Sequence, residues 1–146
     1  MASYPSDNNP TAGPASLALL IVRIATALPF LYHGSAILFG AFGGPGPHGL
    51  AESMHAPDII GYLIGLAEFG GGLAILTGIL LRIGALCGII VMLGAIFLVH
   101  LPNGFDISKR GYEYALTLFL TALALLIAGG GSFSLASVLP GGLRKL

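Results

Sequence analysis

Charge is what this chain has least of. Only 8% of its 146 residues are Asp, Glu, Lys or Arg, six acidic and six basic. A soluble domain carries roughly 25% charged residues, so this chain cannot cover a water-facing surface. Net charge is zero and no basic cluster occurs, which excludes a nucleic-acid-binding face. The single cysteine, Cys87, excludes an internal disulfide and leaves any cysteine metal site or redox pair to a second protein. It lies near Gly84 and Gly88 and reads as a small packing residue. Motifs for haem, flavin or iron–sulfur binding are absent. Trp is missing too.

What is present is apolar and rich in glycine. Hydrophobic residues make up 55% of the chain, glycine occurs 23 times, and mean hydropathy is +0.93. In water that much glycine weakens helices; in a bilayer it lets helix backbones pack closely. Residues 1–15 hold Pro, Ser and Asn but no Lys or Arg, so they lack the basic start of a secretory signal and read as a disordered polar tail.

Four apolar segments follow, and the spacing predicts an all-α, four-helix membrane bundle running up-down-up-down over residues 16–136, with a short tail over 137–146. Ser16 to Phe39 is ~36 Å long as a helix, enough to cross a ~30 Å hydrocarbon core. Gly40 to Ala56, with its Gly and Pro cluster, reads as an irregular loop. Asp58 to Ile79 forms the second span, with Pro57 just ahead of it. A tight turn at Leu80 to Arg82 leads into the third, which runs to His100. Pro102-Asn103-Gly104 breaks it, and the fourth span covers Gly111 to Ala128. Arg82, Arg144 and Lys145 fall on the side of the termini, with Arg23 near it, against Lys109 and Arg110 opposite. The positive-inside rule therefore predicts cytoplasmic termini.

This arrangement brings ionisable residues toward the outer half of one bundle. A charge at the centre of a membrane helix costs at least ~2.5–3.5 kcal/mol, so such residues face the protein interior and find partners. Glu68 shares a helical stripe with Gly61, Gly65 and Gly72, which points it into the bundle. There it serves either as a structural hydrogen-bonded group or in proton or ligand handling. Arg23 either snorkels to the cytoplasmic headgroups or pairs with Glu68. Imidazole as a side-chain type titrates near neutral pH, so His33 and His100 are candidates for proton transfer, or for packing. With Glu68 or Glu113 they supply metal-ligand types, but their spacing matches no metal motif. Glu113 starts a polar stripe through Thr117 and Thr121. His48 and His55 read as solvated loop residues.

Several of these segments together resemble the DoxX family. They are Leu20-Ile21-Val22-Arg23-Ile24-Ala25, Tyr32-His33-Gly34 with Leu38-Phe39-Gly40, Gly65-Leu66-Ala67-Glu68-Phe69-Gly70-Gly71-Gly72, Thr77-Gly78 with Arg82, Ala95-Ile96-Phe97-Leu98-Val99-His100, Tyr112-Glu113, and Gly129-Gly130-Gly131-Ser132-Phe133-Ser134-Leu135. The resemblance implies a four-helix bacterial or archaeal inner-membrane protein. Some members are small subunits of a thiosulfate:quinone oxidoreductase, and others are linked to complexes handling thiol and oxidative stress. Where members often carry Lys this chain has Ile37, and where they often carry Asp it has Ala136. Loss of that Lys argues against an anion-binding step, thiosulfate included.

The sequence thus leads to a membrane oxidoreductase subunit that binds a quinone or relays its protons. Glu68, His33, His100 and Glu113 are the expected proton-handling residues, Phe30, Tyr32 and Phe69 the expected ring packing, and Arg23 a further binding residue. Electrons would come from a partner subunit or a soluble donor. Membrane lipid and a redox partner or a second copy of the chain are the expected company. A small proton-coupled transporter is the first competitor, although the halves show no inverted repeat. A scaffold for another complex is the second.

Overall fold

The computed structural model describes residues 13–138, so the expected tails lie almost wholly outside the described residues. Within them the chain is helical and no strand occurs. Helix α1 covers Pro14–Phe39 and α2 Gly46–Ser53. Helix α3 covers Asp58–Thr77, α4 Leu81–Gly94 and α5 Glu113–Ala128. Pro14 opens α1, where a missing N–H costs nothing. Glycines in the left-handed conformation, Gly40 and Gly78, close α1 and α3 and donate their N–H to Ser35 and Ala74.

Three details differ from the sequence reading. Gly40 to Ala56 is not wholly irregular, because α2 forms there. Its Pro47 falls in the first turn, which tolerates proline. The third span does not continue as α-helix: α4 stops at Gly94 and Ala95–His100 form a π-helical turn before Pro102. The fourth helix starts two residues late, at Glu113, since the Gly111 and Tyr112 N–H groups bond to loop carbonyls of Asp106 and Gly104.

Three apolar stretches, Pro14–Phe39, Asp58–Thr77 and Leu81–Asn103, are long enough to cross a bilayer. Helix α5 has 16 residues, about 24 Å at 1.5 Å per residue, and is shorter than the hydrocarbon core. Isoleucine, leucine and phenylalanine side chains such as Ile21, Leu28, Leu66, Ile90 and Leu120 lie exposed on the outside of these helices. They would be unstable in water and are at home in lipid. The protein is a multi-pass membrane protein.

Helices α1 and α3 form the closest pair. In lipid no hydrophobic drive pulls helices together, so contact rests on van der Waals packing through small residues. Gly34 sits directly on the Phe69 backbone, Gly72 on Leu31, and Gly65 on the Ile37 and Leu38 side chains. A Cβ at Gly34 would overlap the Phe69 nitrogen and Cα. Gly71 and Gly84 bring α3 and α4 together in the same way, and Gly88 admits the Phe30 ring against α4. Around this seam Ala27, Phe30, Ile75, Met92, Leu118 and Leu125 form the apolar core.

Arg23 ties the other end. Its side chain is only 1% exposed, and it neither snorkels nor pairs with Glu68. Nε donates to the Ile75 carbonyl at 2.9 Å and an Nη2 hydrogen goes to the Leu76 carbonyl. Nη1 donates to the carbonyls of Gly130 (3.1 Å) and Phe133 (3.0 Å). Ile75 and Leu76 belong to the last turn of α3, whose carbonyls have no helical partner. The guanidinium supplies donors there and complements the negative end of the helix dipole. It also pins the segment after α5 onto the bundle.

Two outcomes follow. Gly34→Ala should destabilise the protein by about 1–3 kcal/mol through overpacking, whereas Gly70→Ala, which faces open space, should not. Thermal unfolding in detergent separates them, and equal midpoints would remove the seam as a constraint. Arg23→Gln should cost at least about 1.5–3 kcal/mol, the range for hydrogen bonds to a charged group. Arg82→Gln, on an exposed residue, should be close to neutral in the same assay.

Candidate functional site

At the end of the bundle away from Arg23, six parts of the chain surround a cavity of about 350 Å³. Helix α1 contributes His33 and α3 contributes Glu68. The π-helical turn contributes Ala95 and His100, and the following loop Ile107, Arg110 and Gly111. Helix α5 contributes Tyr114 and Ala115, and Met92 of α4 completes the wall. The lining is mainly apolar, with five polar side chains set in it.

Glu68 lies deepest. It is 6% exposed, and its Oε2 has no hydrogen-bond partner. Buried polar atoms are nearly always satisfied, so an orphan calls for an explanation. The α1–α3 seam supplies the geometric cause: Gly34 meets the chain at Phe69, one residue away, and carries Glu68 inward. His33, one residue before Gly34, reaches the same cavity from α1 but is itself exposed.

His100 is half-buried and ends the π-helical turn. Such turns widen a helix locally and recur at functional sites. Its Nδ1 lies 2.8 Å from the Arg110 carbonyl. A carbonyl only accepts, so Nδ1 donates and Nε2 is left as the second ring site. The Asn103 amide donates to the same carbonyl at 3.2 Å. Arg110 itself has φ 62°, a left-handed conformation uncommon outside glycine.

Sequence reasoning placed His33, Glu68 and His100 together, and all three line the cavity. The other expected residues do not. Glu113 Oε2 instead accepts the Ile107 N–H at 3.2 Å and ties the loop to the start of α5. Phe30 is core, packed against Gly88. Tyr32 is exposed and stacks on Phe42 at 4.7 Å, and Phe69 packs edge-on against Phe39 at 5.3 Å. Arg23 is spent on carbonyls at the far end. Arg110 and Tyr114 are lining residues the sequence reading missed. Tyr114 is one step along the helix from Glu113, and a turn of about 100° decides which borders the cavity. Among the described residues no three His, Cys, Asp or Glu side chains converge closely enough to hold a metal ion.

The family model for DoxX matches residues 18–101 of this chain. The chain belongs to the DoxX family. It is also 32% identical over 123 residues to "Inner membrane protein YqjF" of Escherichia coli (strain K12), covering 84% of this chain and 92% of that protein. No solved structure matches it. The family match covers α1 to the π-helical turn and ends one residue after His100. It thus includes His33, Glu68 and His100, while Arg110 and Tyr114 fall beyond it.

His48, expected to be free in solvent, donates from Nδ1 to Asp58 Oδ1 across 2.8 Å at the start of α3. That hydrogen bond, and then the Asp58 charge, raise the His48 pKa above the usual imidazole value. A raised folded pKa means the pair stabilises the protein fully below the unfolded imidazole pKa, and this contribution is lost as pH rises through the folded one. Asp58→Asn should therefore shift the His48 ring titration, followed by NMR, to lower pH. An unchanged titration would show that the pair does not persist in solution.

Proposed function

We propose that this DoxX protein is a membrane subunit of an oxidoreductase and that its cavity takes the head of a quinone. The observation that carries the reading is the orphaned Glu68 Oε2 in the wall of a mainly apolar cavity. Ligand pockets are mostly apolar with a few convergent polar groups and span roughly 300–1,000 Å³; this cavity is at the lower end of that range. Its size and donor set suit a ring with oxygen substituents. A bound quinone would supply electron transfer coupled to protonation at its oxygens.

The chain's own residues handle the protons and the position. Glu68 meets an oxygen of the head at the floor, and the apolar wall of Met92, Ala95 and Ala115 keeps water away from it. His100, with Nδ1 already donating to the Arg110 carbonyl, exchanges a proton at Nε2. His33, exposed at the edge, links the cavity to the aqueous phase. The short carboxyl and imidazole side chains suit general acid–base work near neutral pH.

The contacts of Arg23 with residues 75–76, of Leu31 with Gly72, and of Gly34 with Phe69 support an antiparallel α1–α3 pair. With the positive-inside rule they support cytoplasmic termini and a cavity at the outer face of a bacterial or archaeal plasma membrane. Electrons then arrive from a partner subunit or a soluble donor.

Glu68→Gln keeps the shape of the side chain and should leave membrane insertion and the melting midpoint intact. Quinone binding, read by displacement of a fluorescent or photoreactive quinone in nanodiscs, should weaken at least about tenfold, or ~1.4 kcal/mol. Wild-type affinity in that variant would take Glu68 out of the site. Purification from native membranes with only phospholipid and no quinone or redox subunit would favour the transporter or scaffold readings instead.

A further inference from the structure

We propose that Arg110 is the specificity-determining residue of this cavity: it holds a second oxygen of the ligand at the mouth, opposite the oxygen met by Glu68 at the floor. This rests on the quinone reading above and narrows it to rings with oxygens on opposite edges.

Residues between Gly104 and Glu113 bond largely to one another. The N–H groups of Lys109 and Gly111 both reach the Asp106 carbonyl, Arg110 N–H reaches Ile107, and Tyr112 and Glu113 close back on Gly104 and Phe105. Asp106 Oδ1 accepts the Ser108 N–H at 2.9 Å, and Glu113 holds Ile107 from α5. Gly111 fits only because it has no Cβ, since the Gly104 and Phe105 carbonyls occupy that place. The backbone around Arg110 is thus built to one shape, strained at φ 62°, and its carbonyl is gripped twice, by His100 and Asn103. Strain of this kind persists only where surrounding bonds over-determine it, and it clusters at ligand clamps.

Arg110, held on this backbone, is one of the residues that line the cavity. Arg110 is exposed, so it lies toward the opening, whereas Glu68 is buried. Both border one cavity, yet they form no ion pair: among the described residues the one ion pair is His48 with Asp58. A cation on a fixed backbone and a buried carboxyl that border one cavity without an ion pair leave room for a group between them. Guanidinium only donates and cannot lose its proton, so the mouth requires an acceptor oxygen. A carboxyl can accept a hydrogen bond in either protonation state, so the floor takes a hydroxyl or, when protonated, a carbonyl. A ring with oxygens at opposite edges satisfies both ends, and a ring with one oxygen satisfies only one.

The test compares two probes with the same decyl tail, a decyl-benzoquinone and a decyl-phenol, titrated into the purified protein in nanodiscs. Wild type should bind the dioxygenated ring roughly 10–100-fold more tightly, the range expected for one charge-assisted hydrogen bond. Arg110→Gln should erase that preference while leaving phenol affinity and melting midpoint unchanged. Lys109→Gln, the exposed neighbour, should keep the preference. If Arg110→Gln retains the preference, the assignment of Arg110 falls while quinone binding stands. If Lys109→Gln erases it equally, surface charge is the cause and the assignment also falls. If neither probe binds wild-type protein, the quinone reading falls and this inference falls with it.

Discussion

The close approach of α1 and α3 is the contact on which the rest of the molecule depends. Two helices in lipid gain nothing from hiding apolar side chains from each other, since the lipid is as apolar as they are. What remains is dispersion, which falls away with distance. Glycine at positions 34, 65 and 72 brings backbone and side chains into contact along this pair. One register follows from it. Gly34 rests on Phe69, so His33 and Glu68 are carried to the same end, and Arg23 meets the last turn of α3 at the other.

The two buried ionisable groups resolve the same membrane penalty in opposite ways. Arg23 meets carbonyls on four sides, two from the end of α3 and two from the segment after α5. The two from α3 are groups that a helix terminus leaves without partners, so cation and helix end satisfy each other. No acidic residue is involved. Glu68 lies with one oxygen unbonded beside a cavity. A fold that provides so completely for one group and leaves the other open has one closed end and one end with a cavity.

Much of the cavity end is assembled late in the chain. Helix α4 gives way to a π-helical turn, and both ends of that turn, Ala95 and His100, face the cavity. The loop that follows folds on its own hydrogen bonds and returns Arg110 over the opening. His100 therefore has two parts in the site: its ring borders the cavity and its Nδ1 secures the loop. The wall thus combines helices, which hold position well, with a loop stiffened by the bonds it makes to its neighbours.

Much of this was legible before any coordinates. Sparse charge and long apolar runs determined a helical membrane protein, and the motif order marked it as a DoxX protein. The glycine stripe through Gly61, Gly65 and Gly72 turned Glu68 inward, and helix length carried His33, Glu68 and His100 toward one end. These follow from period and length, which are local. Whatever required a partner distant in sequence did not follow. Arg23 had a carboxylate to choose in the sequence, but carbonyls carry no sequence signature, and only the packed bundle shows that four of them surround it. Glu113 and Tyr114 are adjacent, and the choice between them depends on a helix rotation set by neighbours. Arg110 counted in the sequence as a surface charge; its place in the cavity comes from a loop whose bonds run through backbone atoms. The sequence by itself determined the solvent this protein lives in, its helices and the depth of its ionisable groups. Tertiary structure alone decided which of those groups are satisfied, because satisfaction depends on backbone partners that no side-chain pattern encodes.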